Sequence, residues 1–417
     1  MSQDILLIKK DKKARGTIQL TGSKSECNRA LVIEALSDGK VKVQNVSDAA
    51  DAVLLENILR NDSELTAQDS KLINIGPAGT AMRFLTAYFT LKPGEIILTG
   101  SERMKQRPIG ILVDALRDLG ADIQYAGNKG FPPLQIKGGF EQKTDTIKIK
   151  GDISSQYITA LLLIAAKLPK GLSLQIDGEL TSRPYVEMTL SMLQQAGVQH
   201  KWDEDVIRIE SQEFKQTDIY VEPDWSAASY WYAIAALADE AELFLPGLTQ
   251  YSLQGDSVIT EIMANFGITS QFKDGGVYLQ KEAKLVQRKI FDLKECPDLA
   301  QTVIVVCAAL GHDATFTGLE TLKIKETDRI KALQNELAKM GVKLIEKGQV
   351  YKLDCSGKFI PQRIRVATYE DHRMAMAFAP LALVIPELEI EDAQVVEKSY
   401  PAFWEDLKKV GFHTQDL

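Results

Sequence analysis

Six apolar runs of helical length recur along the chain, each opened by a short polar or charged tip. They are Ser23–Leu36, Pro77–Phe89, Ile153–Ala166, Pro223–Leu237, Pro297–Leu310 and Glu370–Leu383. With Lys24, Gly79, Ser154, Asp224, Asp298 and His372 as markers, the runs follow one another at spacings of 55, 75, 70, 74 and 74 residues. A helix that is apolar nearly all round belongs inside a protein. Its N-terminus presents free N–H groups and a partial positive charge, so it suits an anion. Six such ends predict chemistry on a small anionic molecule.

A second pattern lies between these runs. Amphipathic stretches end in Gly120, Gly197, Gly267, Gly341 and Gly411, spaced 77, 70, 74 and 70 residues, and each leads into a short alternating segment. Glycine just past a helix end predicts a left-handed cap, with a strand restarting behind it. The stretch VLLENILRNDSEL around Leu59 reads as a sixth copy without the glycine, and Thr146–Lys150 and Val206–Ile209 read as strands. A repeat of about 70 residues is architecture. In 417 residues it predicts two domains of three copies each, with the crossover at Glu222-Pro223-Asp224, where Pro interrupts regular structure.

Composition narrows the class. With 45% hydrophobic and 25% charged residues the chain is ordinary globular material, and no apolar stretch approaches a membrane span. A net charge of -8 argues against a nucleic-acid partner, so any anion site must be a local concentration of cations. Cys27, Cys296, Cys307 and Cys355 are scattered and lack metal-type spacing, which predicts free thiols and a cytoplasmic protein without a metal. The N-terminus lacks the apolar core and cleavage site of a signal peptide.

Read in order, the polar tips carry GSKSECNRA, AGTAMR, MKQRPIG, GDISSQ, SRPYVEMTL, KIKETDRI, DHRMAM and EKSYP, from Gly22 to Pro401. In this the chain resembles the 5-enolpyruvylshikimate-3-phosphate synthases, enolpyruvyl transferases of the shikimate pathway. The resemblance implies an α/β, two-domain enolpyruvyl transferase fold of six βαβαββ-type repeats, three per domain. Its buried helices would turn their N-termini toward an interdomain cleft. It places residues 1–20 with 223–417 in a C-terminal, phosphoenolpyruvate-side domain and 21–222 in an N-terminal, shikimate-3-phosphate-side domain. It further implies transfer of the enolpyruvyl group of phosphoenolpyruvate to the 5-hydroxyl of shikimate 3-phosphate, with no cofactor, in a monomer.

The resemblance also distributes roles. Asp298, Glu326 and Lys24 would be catalytic: Glu326 as proton donor and acceptor at C3 of phosphoenolpyruvate, Asp298 on the reacting hydroxyl, Lys24 as a proton shuttle. Lys24, Gly79, Arg107, Gln156, Arg329, Arg373 and Lys398 would bind phosphoenolpyruvate. Lys24, Ser25, Arg29, Ser154, Ser155, Gln156, Ser182, Tyr185, Asp298 and Lys325 would bind shikimate 3-phosphate. The residue types suit the work, since Arg grips a planar carboxylate with two parallel bonds and Lys meets phosphate as a compact charge. At Gly79 a Cβ would intrude on the ligand. Arg83 is a further candidate cation, and His372 is the one histidine within a motif. Two cations about 7 Å apart repel by roughly 2 kcal/mol at an effective dielectric near 20, so such a cluster is unfavourable without anions.

Three positions depart from the family pattern: Pro77 where many members have Asn beside the Gly, Phe84 after Arg83 where Pro is common, and Thr321 where Asn is common. The related transferase acting on a UDP-amino sugar uses a loop Cys and a Lys-Asn pair. Here Lys24 precedes Ser25, and no Cys lies between Cys27 and Cys296. A silent phosphate-sugar binding protein on the same scaffold would lack Glu326, Asp298 or Lys24, and this chain has all three.

Overall fold

The computed structural model describes residues 3–61, 71–283 and 286–417. The chain forms two compact units: Met1–Ser23 with Asp48–Ala50 and Glu222–Leu417, and Lys24–Ser47 with Asp51–Val221. They are called here the C-terminal and N-terminal units.

Each unit is built around three buried helices. In the N-terminal unit these are Lys24–Leu36, Gly79–Leu91 and Ser155–Ala165, which pack against one another. In the C-terminal unit they are Trp225–Leu237, Ala300–Leu310 and His372–Phe378, again in mutual contact. Their all-round apolar surface explains the burial, because no face of such a helix gains by meeting water. The last copy is shorter than its sequence run. Pro380 cannot donate to the preceding turn, and the α-helix gives way to a 3-10 turn over Ala379–Leu383.

Among the described residues, five four-stranded sheets of one order lie around these helices. A first strand pairs parallel with a second, the second pairs antiparallel with the fourth, and the fourth pairs with the third. Lys71–Asn74, Glu95–Thr99, Leu134–Lys137 and Asp122–Tyr125 follow this order. So do Thr146–Lys150, Leu172–Asp177, Val206–Ile209 and Lys201–Asp203. In both, the buried helix forms the crossover that a parallel pair requires.

Two of the C-terminal unit's sheets borrow strands from the start of the chain. Ile5–Ile8 fills the fourth place beside Glu387–Ile390 and His413–Asp416. Lys13–Thr17 is the first strand beside Glu240–Pro246. Conversely, Thr217–Tyr220 pairs parallel with Val41–Gln44, the strand behind the Lys24 helix, in a two-stranded sheet. Asp62–Leu65 of the proposed sixth amphipathic copy lie outside the described residues, while Ala50–Arg60 is helical.

The five glycines of the amphipathic copies all adopt positive φ, from 74° at Gly341 to 118° at Gly120. At Gly341 a Cβ would also stand 2.1 Å from the carbonyl of Gly357, so conformation and space both demand glycine. The crossover is tied by Ser23 N–H to Glu222 O (2.7 Å) and Asp224 N–H to Thr21 O (3.0 Å). The Glu222 carboxylate accepts from Thr249 N–H at 2.8 Å, Trp225 Nε1 at 3.1 Å and Ser252 Oγ. Among the described residues no helix is long and apolar enough to cross a membrane.

Candidate active site

In the C-terminal unit the helix starts gather a network of three cations and three carboxylates. Arg329 opens the helix Arg329–Ala338, whose N-cap Asp328 accepts from Lys331 N–H. Its guanidinium, 2% exposed, donates from Nε to Asp371 Oδ2 (2.7 Å), from Nη2 to Glu326 Oε2 (2.9 Å) and from Nη1 to Asp298 Oδ1 (3.4 Å). Arg373 Nη2 donates to Asp298 Oδ2 at 2.8 Å, and Lys398 Nζ lies 3.1 Å from Glu326 Oε1. Burial works against charge on Arg329, yet Asp371 and Glu326 prevail and hold its pKa above the ordinary value. Each candidate acid–base carboxylate is thus gripped by two cations.

Two of the three buried helices of this unit have side-chain caps at their starts. The starts at Asp224 and Asp371 are capped by their own carboxylates, which accept from Ala227 N–H (3.0 Å) and Arg373 N–H (2.9 Å). The start of the remaining buried helix, at Ala300, has no side-chain cap. Asp224, without an assigned role in the sequence, is such a cap. His372 is buried beside Asp371, with Nδ1 3.7 Å from Oδ1, and Lys325 is half-buried immediately before Glu326.

The N-terminal unit carries a different set. Lys24 is the first residue of its helix, with Nζ 3.5 Å from Asp51 Oδ2. The cation crowding feared from sequence is relieved by the protein's own carboxylates: Asp51 here, and Asp298, Glu326 and Asp371 in the other unit. Gly79 begins its helix with no side-chain cap at Ala78, and a Cβ on it would stand 2.5 Å from Arg107 Nη1. Glycine at this position lets a buried guanidinium lie across the helix start.

Arg29 is 3% exposed and donates four hydrogen bonds: to Thr189 Oγ1 (2.8 Å), Ser25 O (2.8 Å), Tyr185 O (3.2 Å) and Thr159 Oγ1 (3.4 Å). Burial draws its pKa down to about 10. Phe84, one of the family departures, stacks under it at 5.6 Å, and Tyr185 at 5.7 Å. Ser154 caps its helix by accepting from Gln156 N–H at 3.3 Å, and Gln156 Nε2 reaches Thr80 Oγ1 at 3.4 Å. Ser155 is buried. Ser182 sits at φ 55° with no capping bond from its side chain, a conformation that a non-glycine residue seldom adopts. Arg83 is a brace: it donates to Gly79 O and Pro108 O, both at 3.0 Å, and so supports the turn carrying Arg107.

Sequence reasoning passed over Asp51, Asp371, Thr159 and Thr189 as partners of the candidate cations. Asp371 had one readable signal, its place just before an apolar run, which is that of a helix cap.

The fold is shared with an EPSP synthase from Acinetobacter baumannii (TM-score 0.79, 21% identity, 99% of this chain and 100% of that one). The enolpyruvyl transferase NikO from Streptomyces tendae shares it as well (TM-score 0.75, 15% identity, covering 100% of this chain and 99% of that one). The family model of EPSP synthase (3-phosphoshikimate 1-carboxyvinyltransferase) matches residues 8–407. A 3-phosphoshikimate 1-carboxyvinyltransferase of Bacteroides fragilis is 47% identical over 401 residues, 95% of this chain and 96% of the relative. One from Cellvibrio japonicus is 34% identical over 419 residues, 95% of this chain and 97% of the relative. The chain belongs to the EPSP synthase family.

Proposed function

We propose that this protein transfers the enolpyruvyl group of phosphoenolpyruvate to the 5-hydroxyl of shikimate 3-phosphate. The products are 5-enolpyruvylshikimate 3-phosphate and phosphate, a step of aromatic amino-acid biosynthesis. Family membership carries the substrates. The observation that carries the chemistry is that Asp298 and Glu326, two carboxylates, share the single guanidinium of Arg329. Addition of an alcohol across an enol ester needs one group to take a proton from oxygen and another to give one to carbon.

In this reading Asp298 accepts the hydroxyl proton as the oxygen attacks C2, and Glu326 protonates C3. A tetrahedral ketal results. Phosphate then leaves as Glu326 takes the C3 proton back, and the proton from the hydroxyl departs with phosphate, Lys24 serving as the shuttle. Arg329, Arg373, Lys398, Arg107, Lys24, Gly79 and Gln156 are assigned to phosphoenolpyruvate. Ser154, Ser155, Ser182, Ser25, Arg29, Tyr185, Gln156, Lys24, Lys325 and Asp298 are assigned to shikimate 3-phosphate. By the same reading the C-terminal unit is the phosphoenolpyruvate side, and the enzyme works as a cytoplasmic monomer.

The deciding measurement is phosphate release on mixing the protein with both substrates under reducing conditions. Release that requires both substrates is expected; none at all would overturn the assignment. A second measurement concerns Gly79→Ala. The new methyl must displace Arg107, and loss of one charge-assisted hydrogen bond raises KM for phosphoenolpyruvate about 10- to 100-fold. The effect on kcat is expected to be much smaller. An unchanged KM would remove Arg107 from the phosphoenolpyruvate set.

A further inference from the structure

Asp256 lies in the 3-10 turn Gly255–Val258 and is 3% exposed. Ser226 Oγ donates to its Oδ2, whereas its Oδ1 is buried without a hydrogen-bond partner. Ser226 Oγ in turn accepts from Arg373 Nη2 at 3.4 Å, and that same nitrogen donates to Asp298 Oδ2 at 2.8 Å. A chain of contacts thus runs from Asp256 through Ser226 and Arg373 to the carboxylate assigned to the reacting hydroxyl. No role has been given to its first member.

We propose that Asp256 is a positioning residue that acts through Ser226 on Arg373 and tunes how strongly Arg373 holds the anionic substrate. The inference rests on the enolpyruvyl-transfer reading and assigns to that site a residue it does not use.

Charge balance and solvation support it. Arg329, Arg373 and Lys398 are already matched by Asp298, Glu326 and Asp371. A fourth ionised carboxylate would leave a buried anion with one oxygen lacking any donor, which is unfavourable. Asp298 and Asp224 face Asp256 with like charge, Arg373 faces it with opposite charge, and the buried thiol of Cys296 adjoins it. Burial first, then Asp298, push the Asp256 carboxyl up to about 7, against the opposing pull of Arg373 and Ser226.

The sign follows. Below about pH 7 Asp256 is neutral and Arg373 keeps its charge for the substrate. Above it, a new carboxylate competes for Arg373, and affinity for phosphoenolpyruvate falls.

The test compares KM for phosphoenolpyruvate in the full-length wild type and Asp256→Asn from pH 5.5 to 8.5 at constant ionic strength. The ratio of wild-type to variant KM is expected to stay near unity at the acid end. At the alkaline end it should reach about three- to tenfold, the effect of one screened charge within several ångströms. A flat ratio overturns the proposal, even if the variant melts at a lower temperature, because a purely structural role does not depend on pH in this way. Wild type without turnover would instead sink the reaction assignment, so the two failures are distinguishable. Should Asp256→Asn not fold, Ser226→Ala decides. Removing the hydroxyl cuts the link through which Asp256 reaches Arg373 and withdraws a bond that favours the ionised form, so the alkaline rise in KM shrinks and moves to higher pH. A profile superimposable on wild type would overturn the proposal.

Discussion

Glu326→Gln is expected to lower kcat about 10²- to 10⁴-fold, the range typical of a lost general acid–base group. Binding of phosphoenolpyruvate should hold or tighten. Glu326 stands between Arg329 Nη2 (2.9 Å) and Lys398 Nζ (3.1 Å), so a neutral amide releases positive charge toward an anionic substrate. The amide also keeps one acceptor for the guanidinium, which limits structural disturbance. It has no proton to give to carbon and no basic oxygen to take one back. Phosphate release in single-turnover mixing measures the first effect, and calorimetric titration with phosphoenolpyruvate measures the second. Parallel losses in rate and affinity would make Glu326 a structural member of the network.

Arg329→Met should act chiefly on stability. Arg329 is 2% exposed and Asp371, held at 2.7 Å, is 0% exposed. Methionine keeps most of the volume but leaves a buried carboxylate without its cation, at a cost of about 3–5 kcal/mol in the C-terminal unit. Denaturant unfolding at pH 7 reads this directly. Arg329→Lys should recover only part, since an ammonium cannot present a planar fork to several carboxylates at once. A loss below about 1 kcal/mol would mean that Asp371 finds another partner or takes up a proton. In either case activity falls, because Glu326 and Asp298 lose their shared clamp.

The two effects separate roles that a motif cannot. KETDR and DHR lie more than 40 residues apart, as Arg329 and Asp371 show, and the chain pattern of each is that of an ordinary capped helix. Arg329 meets Glu326, three residues earlier and ahead of the helix that Arg329 opens, at 2.9 Å through the bend over 325–327 rather than by helical spacing. That it also serves Asp298 and Asp371 is decided by which helix starts converge. Asp51 beside Lys24 and Asp256 behind Arg373 have no sequence signature at all, since a carboxylate on a polar stretch reads as solvated surface.

Much of the scaffold is legible because it depends on local rules. A helix apolar all round must be buried, and a glycine at an amphipathic helix end marks a left-handed cap. Both rules place elements correctly from Lys24 to Gly411. The exception within reach of local chemistry is Pro380, which ends the sixth buried helix after seven residues. The repeat alone does not show the strand exchange, although the family resemblance places residues 1–20 with the C-terminal half. Lys13–Thr17 and Thr217–Tyr220 each precede a buried helix in sequence, yet pair with strands behind a different one. Strand pairing carries no address in the residues of one strand, because backbone N–H and C=O groups are the same everywhere.

The sequence by itself therefore determined the repeat, the burial of its helices, their glycine punctuation and the family, all of which follow from short-range periodicity and ordered motifs. Tertiary structure alone decided which carboxylate meets which cation. Apart from Glu326 with Arg329, those contacts in the site join residues that the chain separates by 27 to 75 positions, and their energies depend on burial and distance, which no local pattern encodes.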